Sequence, residues 1–147
     1  MIDRNIIGKE NEPEYHEVEK GAIRKFATAI EDDNPVYHNE EYAKQKGYPS
    51  LLAPLTFPTT FRGKIQEWFK NLDKNRLLHG EQEYHYERRF YAGERIKLVE
   101  KVADVYEKKG KNGMMTFIIR DREGYDEADK KLFTERSTFI VREDKRT

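Results

Sequence analysis

The stretch most informative about the architecture is residues 79–90, HGEQEYHYERRF. The aromatic residues Tyr84, Tyr86 and Phe90 stand at even positions, whereas histidine and glutamate occupy most odd positions. This period of two predicts a β-strand with one apolar face and one polar face. Further strands are predicted over Ile96–Tyr106, Met114–Arg120 and Leu132–Val141. No helical pattern separates these strands, so we expect them to form an antiparallel sheet.

Helical patterns precede the strands. Apolar residues recur at helical spacing over Val18–Ile30, and a second, short helix is expected between Asn39, a suitable N-cap, and Gly47. The segment Pro58–Leu72 carries its largest side chains on one stripe, which predicts a long, buried central helix. The fold class is therefore predicted to be α+β, in a single domain over residues 1–147.

The composition limits the classes of function. The chain has 147 residues with 28 Lys+Arg against 28 Asp+Glu, and this balance argues against a nucleic-acid binder. No apolar run is long enough for a membrane span, and no signal-peptide core is visible near Met1, so a cytoplasmic location is expected. The absence of cysteine excludes disulfides and thiolate chemistry. The hydrophobic share of 36% is low, which suggests that a partner subunit completes the core.

One candidate site lies at the end of the first predicted helix, in residues 30–39, IEDDNPVYHN. A carboxylate near an imidazole is the minimum set for general acid–base chemistry, and Asp32 and His38 are the candidates. The ordinary alternative is a helix C-terminus with Asp and Asn turn residues and a solvated histidine, and spacing alone favours it.

A second candidate is the polar face of the 79–90 strand. Its residues could share a metal ion because side chains two apart in a strand point the same way; they are His79, Glu81, Glu83 and His85. A solvated sheet face is the commoner reason for such a pattern. We therefore expect no metal and no cofactor.

Several short stretches between residues 15 and 142 carry a family resemblance when taken in order. They are Ile23–Ala27, Asp32–Pro35, Tyr42–Ala43, Gly47–Tyr48, Leu51–Phe57, Leu78–Tyr84, Tyr91–Glu94 and Arg136–Thr138. Together they resemble the MaoC-type (R)-specific hydratase/dehydratase family, in particular its N-terminal, FAS1-like branch. The resemblance implies the hot-dog fold, in which an antiparallel sheet wraps around one long helix, and a dimer of two such domains.

Active members of that family add water to a trans-2-enoyl thioester or remove it from a (3R)-hydroxyacyl thioester, using the motif Asp-x-Asn-Pro-x-His. Here Asp32 and Asn34 match the motif, Tyr37 takes the histidine position, and His38 follows one residue later. The resemblance implies substrate-binding roles for Asn34, Tyr37, Pro54, Leu55, Thr56 and Phe57.

Three hypotheses follow from this departure from the motif. The leading one is an accessory subunit that shapes the acyl channel of a dehydratase or hydratase, while a second hot-dog subunit supplies the catalytic pair. The second is a self-sufficient homodimeric hydratase that uses Asp32 and His38. The third is a non-enzymatic acyl-CoA-binding module. In each case the expected ligand is an acyl-CoA or acyl carrier protein thioester, with no nucleic acid or membrane partner.

Overall fold

Five antiparallel strands form one sheet in the order β1-β3-β4-β5-β2. The strands are β1 (Glu14–Glu17), β2 (Leu77–Tyr86), β3 (Arg95–Gly110), β4 (Gly113–Tyr125) and β5 (Lys131–Arg142). The α-helices are α1 (Lys20–Ala29), α2 (Glu40–Gln45) and α3 (Glu67–Lys70). These elements come from a computed structural model of the chain, which describes residues 2–143. The α+β class and the antiparallel sheet are thus confirmed.

The first two helices and the four long strands lie close to their predicted positions. In α1 the side chains of Ile23 and Ala27 are buried against the sheet. In α2 the Asn39 side chain accepts a hydrogen bond from the Tyr42 N–H, as expected of an N-cap. The strand β1 was not predicted, because four residues, Glu14–Glu17, are too few for an alternating pattern to stand out.

One face of the sheet, the inner face, is covered by α1 and by the segment between residues 57 and 72. Two separate apolar clusters lie on it. The first surrounds Phe61 and Phe133 and includes α1; the second surrounds Ile118 and Phe139 and includes Leu72. The opposite, outer face carries an ion pair in which Arg136 binds both carboxylate oxygens of Asp121 at 2.8 Å.

The predicted central helix over Pro58–Leu72 is the part of the fold prediction that the structure corrects. Only a 3-10 turn at Phe57–Thr60 and the single helical turn α3 form in this segment. The residues between them have no regular secondary structure. The apolar spacing is real, but its members pack separately, since Phe61 joins the first cluster and Leu72 the second.

Side chains from distant strands explain why this segment is not a helix. The Arg122 guanidinium of β4 donates to the carbonyl oxygens of Pro58 and Phe61, at 2.8 and 2.7 Å. The Glu14 carboxylate of β1 accepts from the Lys64 N–H at 2.6 Å. Gly63 lies so close to that carboxylate that a Cβ atom there would be 1.7 Å from Glu14 Oε2. These bonds use the backbone groups that a helix would need.

Within residues 2–143, no helix has both the length and the apolar character needed to cross a membrane.

Candidate functional site

The turn after α1 contains the residues predicted as the acid–base pair. Asp32 Oδ1 accepts from the Asn34 N–H at 3.1 Å, and Asn34 Oδ1 accepts from the Val36 N–H at 3.1 Å. These two side-chain bonds begin the 3-10 helix Pro35–Tyr37. The Asp32 and Asn34 side chains therefore stabilise the turn itself.

The structure brings His38 to Asp32, but to its backbone rather than its carboxylate. His38 Nε2–H donates to the Asp32 carbonyl oxygen over 2.8 Å. Because a carbonyl oxygen only accepts, Nε2 carries the proton, and in the neutral ring Nδ1 is the unprotonated nitrogen. The two residues are neighbours, and the Asp32 carboxylate is bonded to the turn instead of to the imidazole.

Tyr37, at the position of the motif histidine, is buried and contacts Arg89. Its hydroxyl accepts from Arg89 Nη2 at 3.4 Å, and the same nitrogen donates to the Ala53 carbonyl at 2.9 Å. The Leu52 N–H donates to the Val36 carbonyl at 3.1 Å. These bonds place the 51–57 segment beside the turn, so the structure does bring the two predicted parts of the site together.

The predicted substrate-binding residues 54–57 divide between core and surface. Phe57 is 2% exposed and packs edge-on against Phe61, with ring centroids 5.6 Å apart. Pro54 is also buried, whereas Leu55 and Thr56 are exposed. Phe57 is therefore a core residue, and Leu55 and Thr56 are the members of the group that a ligand can reach.

A cavity of about 520 Å³ lies between the inner face and residues 59–66, the segment that was predicted to be helical. Seven charged residues line the cavity. Four of them lie on strands β3, β4 and β5, and we name these the charged band: Glu100, Arg120, Arg122 and Glu135; the other three are Glu14, Arg62 and Lys64. The band lies between the two apolar clusters, because each of its strands continues into apolar residues on both sides.

Arg122 and Glu135 form the centre of the band. Arg122 Nε donates to Glu135 Oε1 at 2.5 Å, and the Glu135 side chain is completely buried. The same guanidinium donates to the carbonyls of Pro58 and Phe61, as described above. One arginine thus neutralises a buried carboxylate and also positions the segment that covers the cavity.

Arg120 continues the band toward β3. Its Nη1 lies 3.1 Å from Glu100 Oε1, and its Nη2 lies 3.9 Å from Glu135 Oε1. Burial lowers the pKa of the Arg120 guanidinium, and the Glu100 carboxylate acts in the opposite direction. An arginine keeps its charge at neutral pH even so, and the four side chains sum to no net charge.

Neutral hydrogen-bonding groups border the band on the β2 side. Ser137 Oγ donates to Gln82 Oε1 at 3.1 Å, and Gln82 Nε2 donates to the Tyr84 hydroxyl at 2.8 Å. Burial, together with the Glu135 carboxylate, raises the pKa of Tyr84 to about 12. Tyr84 is therefore a neutral phenol at physiological pH.

The ring of His16 stacks on the cavity residue Phe61, with centroids 4.8 Å apart. Its pKa is lowered, first by burial and also by the positive charge of Arg122, while Glu14 acts to raise it. His16 is thus a neutral imidazole over most of the physiological range.

The metal hypothesis for the 79–90 strand requires its four residues to lie on one face of the sheet. A β-bulge between His79 and Glu81 prevents this. The bulge turns His79 to the inner face, where its ring stacks on Phe139, whereas Glu83 and His85 follow Glu81 on the other face. Across residues 2–143, no group of three His, Asp or Glu side chains is arranged to bind a metal ion.

The charged band was not predicted from the sequence. Its signal is weak but visible: Arg120 and Arg122 in β4, and Glu135 and Ser137 in β5, are spaced by two and share the inner face with Ile118 and Phe139. Polar residues that continue the alternation of an apolar face are candidates for burial, but the pairing of the two strands is needed to show that they meet.

A family profile described as "FAS1-like, dehydratase domain region" matches residues 5–135. This match spans most of the chain, including the turn after α1, the cavity segment and the sheet as far as Glu135. The chain belongs to the FAS1-like dehydratase-domain family.

Relatives of similar length align with almost the whole chain, and they are UPF0336 proteins. A UPF0336 protein of Saccharopolyspora erythraea is 32% identical, with 96% of this chain and 92% of that protein aligned. A UPF0336 protein of Thermobifida fusca is 33% identical, with 97% and 95% aligned.

Solved structures show that the fold of this FAS1-like chain is the hot dog of MaoC-type dehydratases and hydratases. The HadBC (3R-hydroxyacyl-ACP dehydratase) complex of Mycobacterium tuberculosis matches with a TM-score of 0.79, 24% identity, and 92% and 96% coverage of the two chains. The ChsH1–ChsH2 complex of the same organism matches with a TM-score of 0.76, 19% identity, and 92% and 90% coverage. The (R)-hydratase of A. caviae matches with a TM-score of 0.66, 12% identity, and 92% and 96% coverage.

Proposed function

We propose that the chain is a subunit of a (3R)-hydroxyacyl thioester dehydratase or (R)-specific enoyl hydratase. In this role it shapes the acyl channel, and a second hot-dog subunit supplies the aspartate and histidine that add or remove water. The substrate is an acyl-CoA or acyl carrier protein thioester, and the functional unit is a dimer of hot-dog subunits.

The observation that carries this proposal is the geometry of the degenerate motif. The Asp32 carboxylate is bonded within the turn, the His38 imidazole is bonded to a backbone carbonyl, and Tyr37 stands at the motif's histidine position. A general base needs its carboxylate and imidazole to reach the same water molecule. A turn that uses both groups for its own hydrogen bonds fits a supporting subunit better than a catalytic one.

The cavity on the inner face gives the proposed role its physical basis. Because Pro58–Leu72 does not form a central helix, a space of about 520 Å³ is left beneath it. Part of an acyl chain fits a volume of that size. The HadBC and ChsH1–ChsH2 structures are complexes, which supports a hot-dog partner for this chain too.

The test is reconstitution with a MaoC-type hot-dog protein from the same organism that has the complete Asp-x-Asn-Pro-x-His motif. We expect the two chains to co-purify, and hydration of trans-2-enoyl-CoA by the partner to fall by an order of magnitude or more when this chain is omitted. Partner turnover that does not change when this chain is added or omitted contradicts the proposal.

The second candidate is a self-sufficient homodimeric hydratase, and the His38 geometry is the observation in its favour. The bond from Nε2–H to the Asp32 carbonyl leaves Nδ1 as the unprotonated nitrogen. The Asp32 carboxylate would be free to act with it if its hydrogen bond to the Asn34 N–H were broken. If this candidate is right, the purified chain hydrates enoyl-CoA alone. The variants Asp32→Asn and His38→Ala then each lose roughly two orders of magnitude in turnover.

A non-enzymatic acyl-thioester-binding module is the outcome in which the chain binds acyl-CoA but never changes the rate of a partner.

A further inference from the structure

The charged band contains two buried polar atoms that have no partner within the described residues. They are Glu135 Oε2 and Arg120 Nε, and both residues line the cavity. Glu135 uses its other oxygen for Arg122, and Arg120 uses its terminal nitrogens for Glu100 and Ser137. An acceptor and a donor are therefore left over on two neighbouring side chains, whose Arg120 Nη2 and Glu135 Oε1 atoms lie 3.9 Å apart.

Unpaired polar atoms of this kind favour one class of ligand group. A buried acceptor or donor without a partner costs free energy, and the cost is recovered when a ligand supplies the missing bond. A group that both donates and accepts, such as a hydroxyl or an amide, satisfies Glu135 and Arg120 together. Because the band itself sums to no net charge, a charged ligand group placed between Glu135 and Arg120 would be uncompensated there. The other two cationic residues of the lining, Arg62 and Lys64, lie on the exposed segment that covers the cavity.

The cavity walls define what surrounds that group. Apolar wall residues lie on both sides of the band, Phe61 and Leu98 on one side and Phe69 and Phe139 on the other. The segment that covers the cavity also contributes polar residues, among them Arg62, Lys64 and Gln66. The complementary ligand has apolar portions on both sides of one neutral polar group, or one apolar portion that ends in such a group.

We infer that the cavity selects thioester ligands by a neutral donor–acceptor group, held between Glu135 and Arg120, and discriminates against a plain alkyl chain. This inference deepens the proposed function and rests on it, because it takes the cavity as an acyl-thioester channel. Two parts of such a ligand have the required chemistry: a hydroxyl on the acyl chain beyond the reacting carbons, and the amides of the pantetheine arm.

The experiment measures binding of matched ligands to the purified chain by calorimetry and by fluorescence of Trp68, which packs on the cavity residue Phe69. The probes are ω-hydroxyacyl-CoA thioesters from hexanoyl to dodecanoyl, each paired with the unsubstituted acyl-CoA one carbon longer. Paired probes have the same number of non-hydrogen chain atoms. We expect the best hydroxyacyl ligand to bind roughly tenfold more tightly than its alkyl counterpart.

The variant Arg120→Lys tests which atoms are responsible. It keeps a positive charge beside Glu100 and removes the Nε–H. The ratio of the dissociation constants of the alkyl and hydroxyacyl probes should therefore fall close to one. The matched control is Arg136→Lys, the same change in the Asp121 ion pair on the outer face of the sheet. Arg136→Lys should leave the ratio of the two dissociation constants unchanged from that of the unsubstituted protein. Thermal melts of both variants identify any loss of folding.

The outcomes separate the inference from the proposed function. If paired thioesters bind equally to the unchanged chain and pantetheine alone shows no binding that depends on Arg120, the inference is wrong and the acyl channel stands. If no thioester binds more tightly than CoA, the acyl channel and the inference both fall. Binding of pantetheine that Arg120→Lys abolishes supports the inference and assigns the polar group to the carrier arm.

Discussion

Phe133 of the first apolar cluster and Glu135 of the charged band are two residues apart on β5, and both are completely buried. The two regions around them are stabilised by opposite means. In the cluster, aromatic rings pack against one another, as Phe90 and Phe133 do with their centroids 5.7 Å apart. In the band, Arg122 must meet one carboxylate and two carbonyls at once. The comparison shows that one sheet face can combine two kinds of region. One tolerates substitution among apolar side chains of similar size, and the other needs each polar group to keep its specific hydrogen-bond partners.

The largest effect should come from breaking the band. Arg122→Met leaves Glu135 as an uncompensated buried charge and frees the carbonyls of Pro58 and Phe61. We expect a loss of about 3–5 kcal/mol in the free energy of unfolding, measured by urea titration. The double variant Arg122→Met/Glu135→Leu should recover part of this loss, because the uncompensated Glu135 carboxylate is removed. A double variant as unstable as the single one would show that the carbonyl bonds carry the whole effect.

On the apolar side, overpacking should cost less. Gly124 pairs with Phe133 across β4 and β5, and a Cβ atom there would lie 2.3 Å from the Phe133 ring. Gly124→Ala should therefore cost about 1–3 kcal/mol in urea unfolding. Gly21→Ala in α1 is the matched control, since beyond its chain neighbours and the backbone of its own helix no atom lies within 4 Å of its Cβ position. It should be neutral or stabilise by up to about 1 kcal/mol. Equal effects at the two sites would contradict the packing argument.

A smaller effect is expected where the cavity segment meets β1. Gly63→Ala pushes the Glu14 carboxylate away from the Lys64 N–H, and the flexible side chain can move at a cost of about 1 kcal/mol. Glu14→Ala removes the same bond. The double variant should therefore be less destabilised than the sum of the single variants. Strict additivity would mean that Gly63 acts independently of Glu14.

The smallest predicted effect is a pH dependence from His16. Its pKa is lowered in the folded chain, mainly by burial, so the unfolded chain binds the proton more readily. Stability from this group is complete above the unfolded pKa of about 6.5 and is lost as the pH falls toward the folded value. His16→Phe keeps a ring on Phe61 and should flatten this part of the stability–pH curve. Identical slopes for the two proteins between pH values of about 7 and 5 would contradict the assignment.

Local patterns were sufficient for much of the fold. The alternation of residues 79–90, the helical spacing around Ile23 and the capping ability of Asn39 each depend on neighbours within a few residues. The helix and the cap are confirmed, and the strand forms over Leu77–Tyr86, with the predicted alternation holding from Glu81 onward. The same holds for the antiparallel order, because short turns leave little choice of strand direction. The family resemblance, carried by short motifs along the chain, also extends through the sheet.

The segment 58–72 and the charged band required the tertiary structure. The helical spacing of residues 58–72 is genuine, yet Arg122 and Glu14, more than forty residues away on either side, bind its backbone groups and hold it open. Likewise, the sequence alone does not distinguish Glu135 from an exposed strand glutamate. Only the pairing of β4 with β5 shows that it lies against Arg122. Sequence patterns report local backbone preference and burial, whereas a buried ion pair exists only when two distant strands meet, because its free energy belongs to the pair.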